Sequence, residues 1–257
     1  MYIERTNSTN TLLREMIAKG EWQAGEEYLY TGFQTAGRGQ SGNGWESEEG
    51  KNLLCSILLS HQPSEVSGVR PAFDLNVAVS VAVHRMVNSL FSILHSQLTI
   101  KWPNDIYWGD RKIAGILVEN ALIGSEVRYS IAGIGLNVNQ TEWLSNAPNP
   151  VSMRQISGEE YDIHELMKAL MDEMHTVLAM KREEIWAYYR THLYRKDGFW
   201  PFVEREVSIA PTMNANKETE GIFLAKIENI RADGEIELRD QEGNLRLYHF
   251  KEVRYVL

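Results

Sequence analysis

The chain of 257 residues is long enough for one large domain or for a main domain with a small appendage, and two parts fit it better. With 43% hydrophobic and 24% charged residues, and no apolar run near the roughly 18 residues of a membrane span, it reads as a soluble globular protein without a membrane partner. A net charge of −9, from 26 basic and 35 acidic residues, argues against nonspecific nucleic-acid binding, and a single cysteine excludes an internal disulfide.

The N-terminal Met1-Tyr2-Ile3-Glu4-Arg5 has an early acid and no apolar core behind it, so the cytoplasm is expected rather than a secretory route. Ser8-Thr9-Asn10-Thr11 then precedes a helical run from Leu12 to Lys19 with Gly20 as its stop. One cap needs one such side chain, so others are free to face a ligand. Tyr28 to Gln34 reads as a strand and delivers the chain to the loop Thr35-Ala36-Gly37-Arg38-Gly39-Gln40-Ser41-Gly42-Asn43-Gly44-Trp45. This loop matches G-x-G-x-x-G in form, but a dinucleotide site requires a helix to open at the third glycine, and here another strand follows. What remains is a backbone able to wrap an anion with its N–H groups, one guanidinium in Arg38, and Trp45 to stack on a base; the bland alternative is a long hairpin tip.

Leu53 to Leu59 is nearly all apolar and predicts a central strand, in which Cys55 is most simply a small buried side chain. Pro71 opens a predicted helix through about Leu94, apolar on most of its face. Leu98-Thr99-Ile100-Lys101 reads as a strand that ends in the corner Trp102-Pro103-Asn104-Asp105. Pro103 fixes its own φ and pushes Trp102 into an extended conformation, which holds Lys101 still at the strand end. The competing reading is a solvated lysine beside a buried tryptophan. Asn104 and Asp105 stay open between support for the lysine and a share in a phosphate or metal site, with support preferred.

The chain turns back through Gly109-Asp110 into Ile113 to Glu119, where Gly115 leaves a gap for close approach. A turn at Gly124-Ser125 leads to a strand from Val127 to Ile134 that runs into Gly133-Ile134-Gly135-Leu136-Asn137. A polar connection from Thr141 to Gly158 precedes a helical stretch from Ile163 to about Tyr194. Beyond Trp200-Pro201 short strands are expected at Val203 to Ile209, Ile222 to Ile230, Glu235 to Leu238 and Leu245 to Phe250, which together make a small β-barrel. The boundary falls near Tyr194 to Trp200, giving domains 1–198 and 199–257.

Three segments at strand ends have complementary equipment: a loop that can hold a phosphate and stack a base, a fixed cation in Lys101, and the side-chain-free wall Gly133-x-Gly135. Together they suit a small carboxylic acid activated by a nucleotide. No Ser-His-Asp set, zinc-ligand spacing or Walker loop competes.

Read with Ser8-Thr9-Asn10, Lys112 to Glu119 and Gly133 to Asn137, the chain resembles the biotin protein ligases, that is biotin–[acetyl-CoA-carboxylase] ligases, from roughly Ile3 onward. Each motif is weak alone, and all five in this order are specific. The resemblance implies an α+β catalytic fold of the class II aminoacyl-tRNA-synthetase-like kind, a mixed sheet with packed helices, followed by a small Src-homology-3-like β-barrel. It implies ATP, biotin and Mg²⁺, with metal ligands that the sequence does not identify. It also implies transfer of biotin to a lysine of a biotin carboxyl carrier protein, part of a biotin-dependent carboxylase. By the same resemblance Ser8, Thr9 and Gln34 bond to the biotin ureido group or its surroundings, and Gly115, Gly133 and Gly135 wall its slot. Arg38 and Lys101 meet the carboxylate and the α-phosphate as the catalytic cations, Gly37, Gly39 and Gln40 belong to the binding loop, and Trp45 and Asn137 contact the adenine side.

One departure from the family pattern stands out: Gln40 and Asn43 occupy positions where many members carry basic residues, so the loop has a single guanidinium. Only seven residues precede Ser8, so no helix-turn-helix module and no operator DNA are expected; the oligomeric state stays open between monomer and homodimer. The rivals are a lipoate ligase, whose group lacks the Lys-Trp-Pro-Asn-Asp string, and a non-catalytic biotin or nucleotide sensor, which has no need of phosphate-facing cations.

Overall fold

The computed structural model describes residues 1–60, 72–91, 97–123, 126–145, 148–205 and 221–257. Seven strands form a mixed sheet: β1 (Tyr2–Thr6), β2 (Tyr28–Gln34), β3 (Leu53–Ser60), β4 (Leu98–Lys101), β5 (Asp105–Trp108), β6 (Arg111–Ile123) and β7 (Glu126–Leu136). Their order is β1-β2-β3-β7-β6-β5-β4, with β1 and β2 parallel and the remaining neighbours antiparallel. The apolar β3 lies inside the sheet as its composition predicts. β1 was not expected: Tyr2, Glu4 and Arg5 are exposed on this edge strand, so it shows no clean apolar period.

Helices cover both faces unequally. α1 (Thr9–Lys19) packs Leu13 on Leu29 and Ile131 on one face. α2 (Ala72–Leu90), α4 (Ile163–Ala179) and α5 (Arg182–Thr191) bury the other, where Val77, Val81 and Met174 join Leu53, Cys55 and Ile57 in a single apolar cluster. The expected helix from Ile163 to Tyr194 is two helices, because Met180 and Lys181 are extended and Glu183 and Glu184 favour a new N-terminus there. α3 (Met153–Ser157) begins at a capping box of Ser152 and Gln155, a four-residue signature present in the sequence. Pro71, the helix end toward Leu94, and the Gly124-Ser125 turn lie outside the described residues.

A second sheet follows: β8 (Trp200–Glu204), β9 (Ile222–Ile230), β10 (Ile236–Asp240), β11 (Leu245–Tyr248) and β12 (Val253–Tyr255), in the order β11-β10-β9-β8-β12 and antiparallel throughout. This corrects the expected β-barrel: the sheet is open, and among the described residues no pairing joins its edges β11 and β12. Residues 206–209 of the strand expected from Val203 lie outside the described residues.

The corner after β4 joins the layers. The Pro103 carbonyl accepts hydrogen bonds from Asn76 of α2 (2.7 Å) and Tyr189 of α5 (3.0 Å). The Trp102 indole meets the second sheet, where its N–H donates to the Gly234 carbonyl at 2.9 Å and its ring meets Phe250. α5 is in turn tied to α2 through buried Asp74, which accepts from Arg182 (2.6 and 2.9 Å) and from the Trp186 indole (2.8 Å). Asp74→Ala strands these donors and is expected to lower unfolding free energy by about 2–3 kcal/mol in urea titrations.

Candidate active site

The register of the sheet builds one row of the site. Lys101 pairs with Asp105, Asp105 with Gly115, and Gly115 with Gly135, so all four project on the same face, and Gly133 lies beside them opposite Leu117 and Ser56. A bulge adds Lys112. β6 carries one extra residue, Ile113, between its partners for Ile106 and Tyr107, so Lys112 pairs with Tyr107 and points to the Gly115 side. Strict alternation would place it on the opposite face, which is why sequence reasoning missed it. Its ammonium lies 2.7 Å from the Asp105 carboxylate and 5.5 Å from the Trp45 ring centre.

The glycines face occupied space. A Cβ at Gly115 would lie 2.9 Å from the Trp45 ring and 3.1 Å from the Lys112 ammonium, and one at Gly135 would overlap the indole. Gly133 faces the Asn10 amide just as closely. The loop between β2 and β3 is therefore folded onto the sheet, pinned by Trp45 over two glycines, by a bridge between Arg38 and Gly44, and by Glu46, whose carboxylate accepts the Leu144 and Ser145 amides at 2.7 and 2.9 Å. Gly39 donates its N–H to the Asn43 carbonyl at 2.7 Å, closing a 3-10 turn at Gln40–Gly42. A Cβ at Gly37 would meet the Trp45 carbonyl at 2.7 Å, so only glycine fits there.

The cap of α1 forms a polar network. Ser8 makes no side-chain cap bond, and Gln34 Oε1 accepts both the N–H (2.8 Å) and the hydroxyl (3.1 Å) of Thr9, leaving its amide nitrogen as the group it can offer. The Ser56 hydroxyl lies between the Thr9 hydroxyl (2.8 Å) and Asn10 Oδ1, while Asn10 donates to Glu119 at 2.7 Å. Asn10 and Glu119 stand in motifs quoted from the sequence without a role of their own, and Ser56 was not picked; all three act through partners distant in the chain.

Arg14 and Arg38 complete the Glu119 cluster at 3.0 and 3.1 Å. Burial pushes the Glu119 carboxyl up, but the Asn10 amide and the two guanidiniums outweigh it and hold it below the usual carboxylate range. Lys101 differs from Arg38 and Lys112 in having a neutral partner. It donates to the Tyr107 hydroxyl at 2.9 Å and lies 4.5 Å from the Tyr107 ring centre and 5.2 Å from that of Tyr255. Burial pushes its ammonium down to about 8, against the upward pull of Asp105.

A cavity of about 610 Å³ is lined by all the predicted site residues except Gly37 and Asn137, together with Asn10, Lys112, Arg205 and Arg254. Asp105 is the only acidic side chain among the described residues of its lining, so a chain of net charge −9 concentrates positive charge here. Three buried polar atoms of predicted residues, Gln40 Oε1, Trp45 Nε1 and Asn137 Oδ1, have no partner among the described residues. Asn104 supports the corner, donating to the Ile116 carbonyl, while Asp105 faces the cavity. No group of three His, Cys, Asp or Glu able to hold a metal ion occurs among the described residues.

A profile of the biotin/lipoate A/B protein ligase family matches residues 2–137, more than half of the chain. The chain belongs to the biotin/lipoate A/B protein ligase family. Within this family it is 31% identical to the bifunctional ligase/repressor BirA of Bacillus spizizenii, over 84% of this chain and 62% of that protein. It is 32% identical to the biotin–[acetyl-CoA-carboxylase] ligase of Mycobacterium tuberculosis, over 67% and 61%. The chain spans about three fifths of the length of these two relatives. Among solved structures, the biotin protein ligase from Aquifex aeolicus in complex with biotin and ATP superposes with a TM-score of 0.73 at 22% identity, covering 100% of this chain and 98% of that one. That likeness gives the fold of this family member.

Lys101 yields a test of the electrostatics. Its folded pKa lies below the unfolded value of 10.5, so between about pH 8 and 10 the unfolded chain binds more protons and stability rises with pH through this residue. Lys101→Met is expected to melt higher than wild type at pH 7, with the gain shrinking as pH passes 8. A constant difference across that window in thermal melts would contradict it.

Proposed function

We propose that this protein is a biotin protein ligase: it adenylates biotin with ATP and passes the biotinoyl group to a lysine of a biotin carboxyl carrier domain. The observation that carries the proposal is the row Lys101–Asp105–Gly115–Gly135, a cation and two side-chain-free positions on one sheet face beneath a loop bearing Arg38 and Trp45. The family and the five motifs support the substrate assignment. In the first step a biotin carboxylate oxygen bonds to the α-phosphorus as the bond to pyrophosphate breaks. Two anions must meet, and negative charge grows on the phosphoryl oxygens, so Lys101, Lys112 and Arg38 lower the barrier by neutralising it. In the second step the acceptor amine attacks the acyl carbon, AMP leaves and the amine loses a proton.

Thr9, Gln34 and their neighbours Asn10 and Ser56 supply the polar end of the biotin slot, with Ser8 beside them. Asn137 spends its amide hydrogens on the Val151 carbonyl (3.1 Å) and the Lys112 carbonyl (3.4 Å), so it serves the adenine side by holding the Lys112 backbone rather than by lining the cavity itself. Mg²⁺ would arrive with the ATP phosphates, and Asp105 is the acidic side chain that the described lining of the cavity could offer it. Residues 1–198 serve as the catalytic domain and 199–257 as an appended small β-sheet module, with cytoplasmic location; among the described residues no helix is long and apolar enough to cross a membrane.

Biotin-dependent exchange between ATP and pyrophosphate tests this directly: exchange with biotin supports it, exchange with lipoate transfers the chain to the lipoate ligases, and none with either makes it a sensor. Lys101→Ala and Lys112→Ala are each expected to reduce exchange about 100-fold or more while the fold persists. Gln40 holds the intermediate through neutral hydrogen bonds, so Gln40→Arg is expected to slow escape of biotinoyl-AMP, measured by filter retention.

A further inference from the structure

We propose that Tyr255, on the edge strand β12 of the second sheet, is a positioning residue for Lys101: its ring closes the ammonium off from water and fixes where it points, so the second sheet completes the reaction site. The inference rests on Lys101 being a phosphate-facing cation.

The geometry is specific. Lys101 comes from the end of β4 and Tyr255 from the other sheet, yet the ammonium stands 5.2 Å from the Tyr255 ring centre and 4.5 Å from that of Tyr107. Tyr255 is held in place independently of Lys101. Its ring packs on Phe202 and Tyr194 at 4.9 and 5.5 Å between centres. The next residue is clamped from both sides: the Val256 carbonyl accepts from Arg195 at 2.7 Å and its N–H donates to the Pro201 carbonyl at 3.0 Å. Arg195, between the Tyr194 and Trp200 rings, is itself nearly buried.

The Tyr255 hydroxyl is buried and has no hydrogen-bond partner among the described residues. An unpartnered phenol costs stability that phenylalanine avoids, so the packing of the Tyr255 backbone and ring does not depend on that oxygen. What Lys101 receives is the ring itself, through its attraction for a cation and its exclusion of water. An ammonium held in this way keeps its full field at short range, whereas a hydrated one is screened. The ionisable groups around Lys101 are Asp105, Asp110, Lys112 and Arg195, together with the phenols of Tyr107, Tyr194 and Tyr255. Burial is the largest influence among them and pushes Lys101 down to about 8, so opening the enclosure moves it back toward 10.5.

The test reads the alkaline limb of kcat/KM for biotin-dependent ATP–pyrophosphate exchange, which reports the free enzyme. Tyr255→Ala is expected to move that limb at least one pH unit upward and to lower the plateau about tenfold, while Tyr255→Phe leaves both as in wild type. If the alanine variant lacks a cooperative thermal transition, Tyr255→Leu takes its place. Lys101→Arg assigns the limb: it should retain some exchange and lose the limb, because a guanidinium does not titrate there. A folded Tyr255→Ala or Tyr255→Leu with an unmoved limb overturns the proposal, as does a Tyr255→Phe that shifts it. Undiminished exchange in Lys101→Ala would instead overturn the reading of Lys101 on which the proposal rests.

Discussion

The Pro103 carbonyl is the junction on which the molecule turns. A backbone oxygen with two lone pairs is buried at the end of β4, and it is satisfied by Asn76 from α2 and Tyr189 from α5. Those two bonds fix a strand end against two helices, and the residues on either side then have little freedom. Trp102 is directed at Gly234 and Phe250 of the second sheet, and Asn104 at the Ile116 carbonyl of β6. Lys101 and Asp105, paired across the same corner, are left facing the cavity. One satisfied carbonyl thus sets the strand end, the seat of the second sheet and the direction of a cation.

Much of this was legible because local chemistry named it. An X-Pro after an apolar strand marks a rigid corner, and alternate glycines in Gly133-Ile134-Gly135 mark a face with something lying on it; here the occupants are Asn10 and Trp45. Lys112 was not legible, since a one-residue bulge reverses its face and the sequence gives no bulge signal at Ile113. The Arg38–Glu119 pair spans 81 residues, and residue types alone do not say which acid a loop arginine will meet. The closed barrel was overpredicted for a related reason: short strands with tight turns show that antiparallel pairing occurs, but closure depends on how the two edges meet, and that is a long-range property.

The glycine-backed loop has an energetic consequence. Trp45 gains burial by covering Gly115 and Gly135, yet its indole N–H has no acceptor there. Gln40, in the adjacent turn, likewise leaves its buried carbonyl oxygen unpartnered. Both atoms would be satisfied by water or by a ligand, so the folded-down loop is stabilised by apolar contact and penalised by unmet polar groups. A loop balanced in this way can be displaced by a molecule that offers both a planar surface and hydrogen-bonding partners.

Arg38, Lys112 and Lys101 are unequal in what an incoming anion gains from them. Arg38 and Lys112 already hold carboxylates, Glu119 and Asp105, so an anion that reaches them exchanges one negative partner for another and the net gain is small. Lys101 donates to a phenol and faces two aromatic rings, all neutral, in a partly buried site where Asp105 offsets only part of the cost of burial. An anion arriving there displaces no carboxylate from a salt bridge, and part of the desolvation cost on the lysine side has been met in folding. The same enclosure sets the sign of the Lys101 contribution near neutral pH: a charge only partly compensated by Asp105 weighs on the ligand-free fold and is well placed to act on an anion.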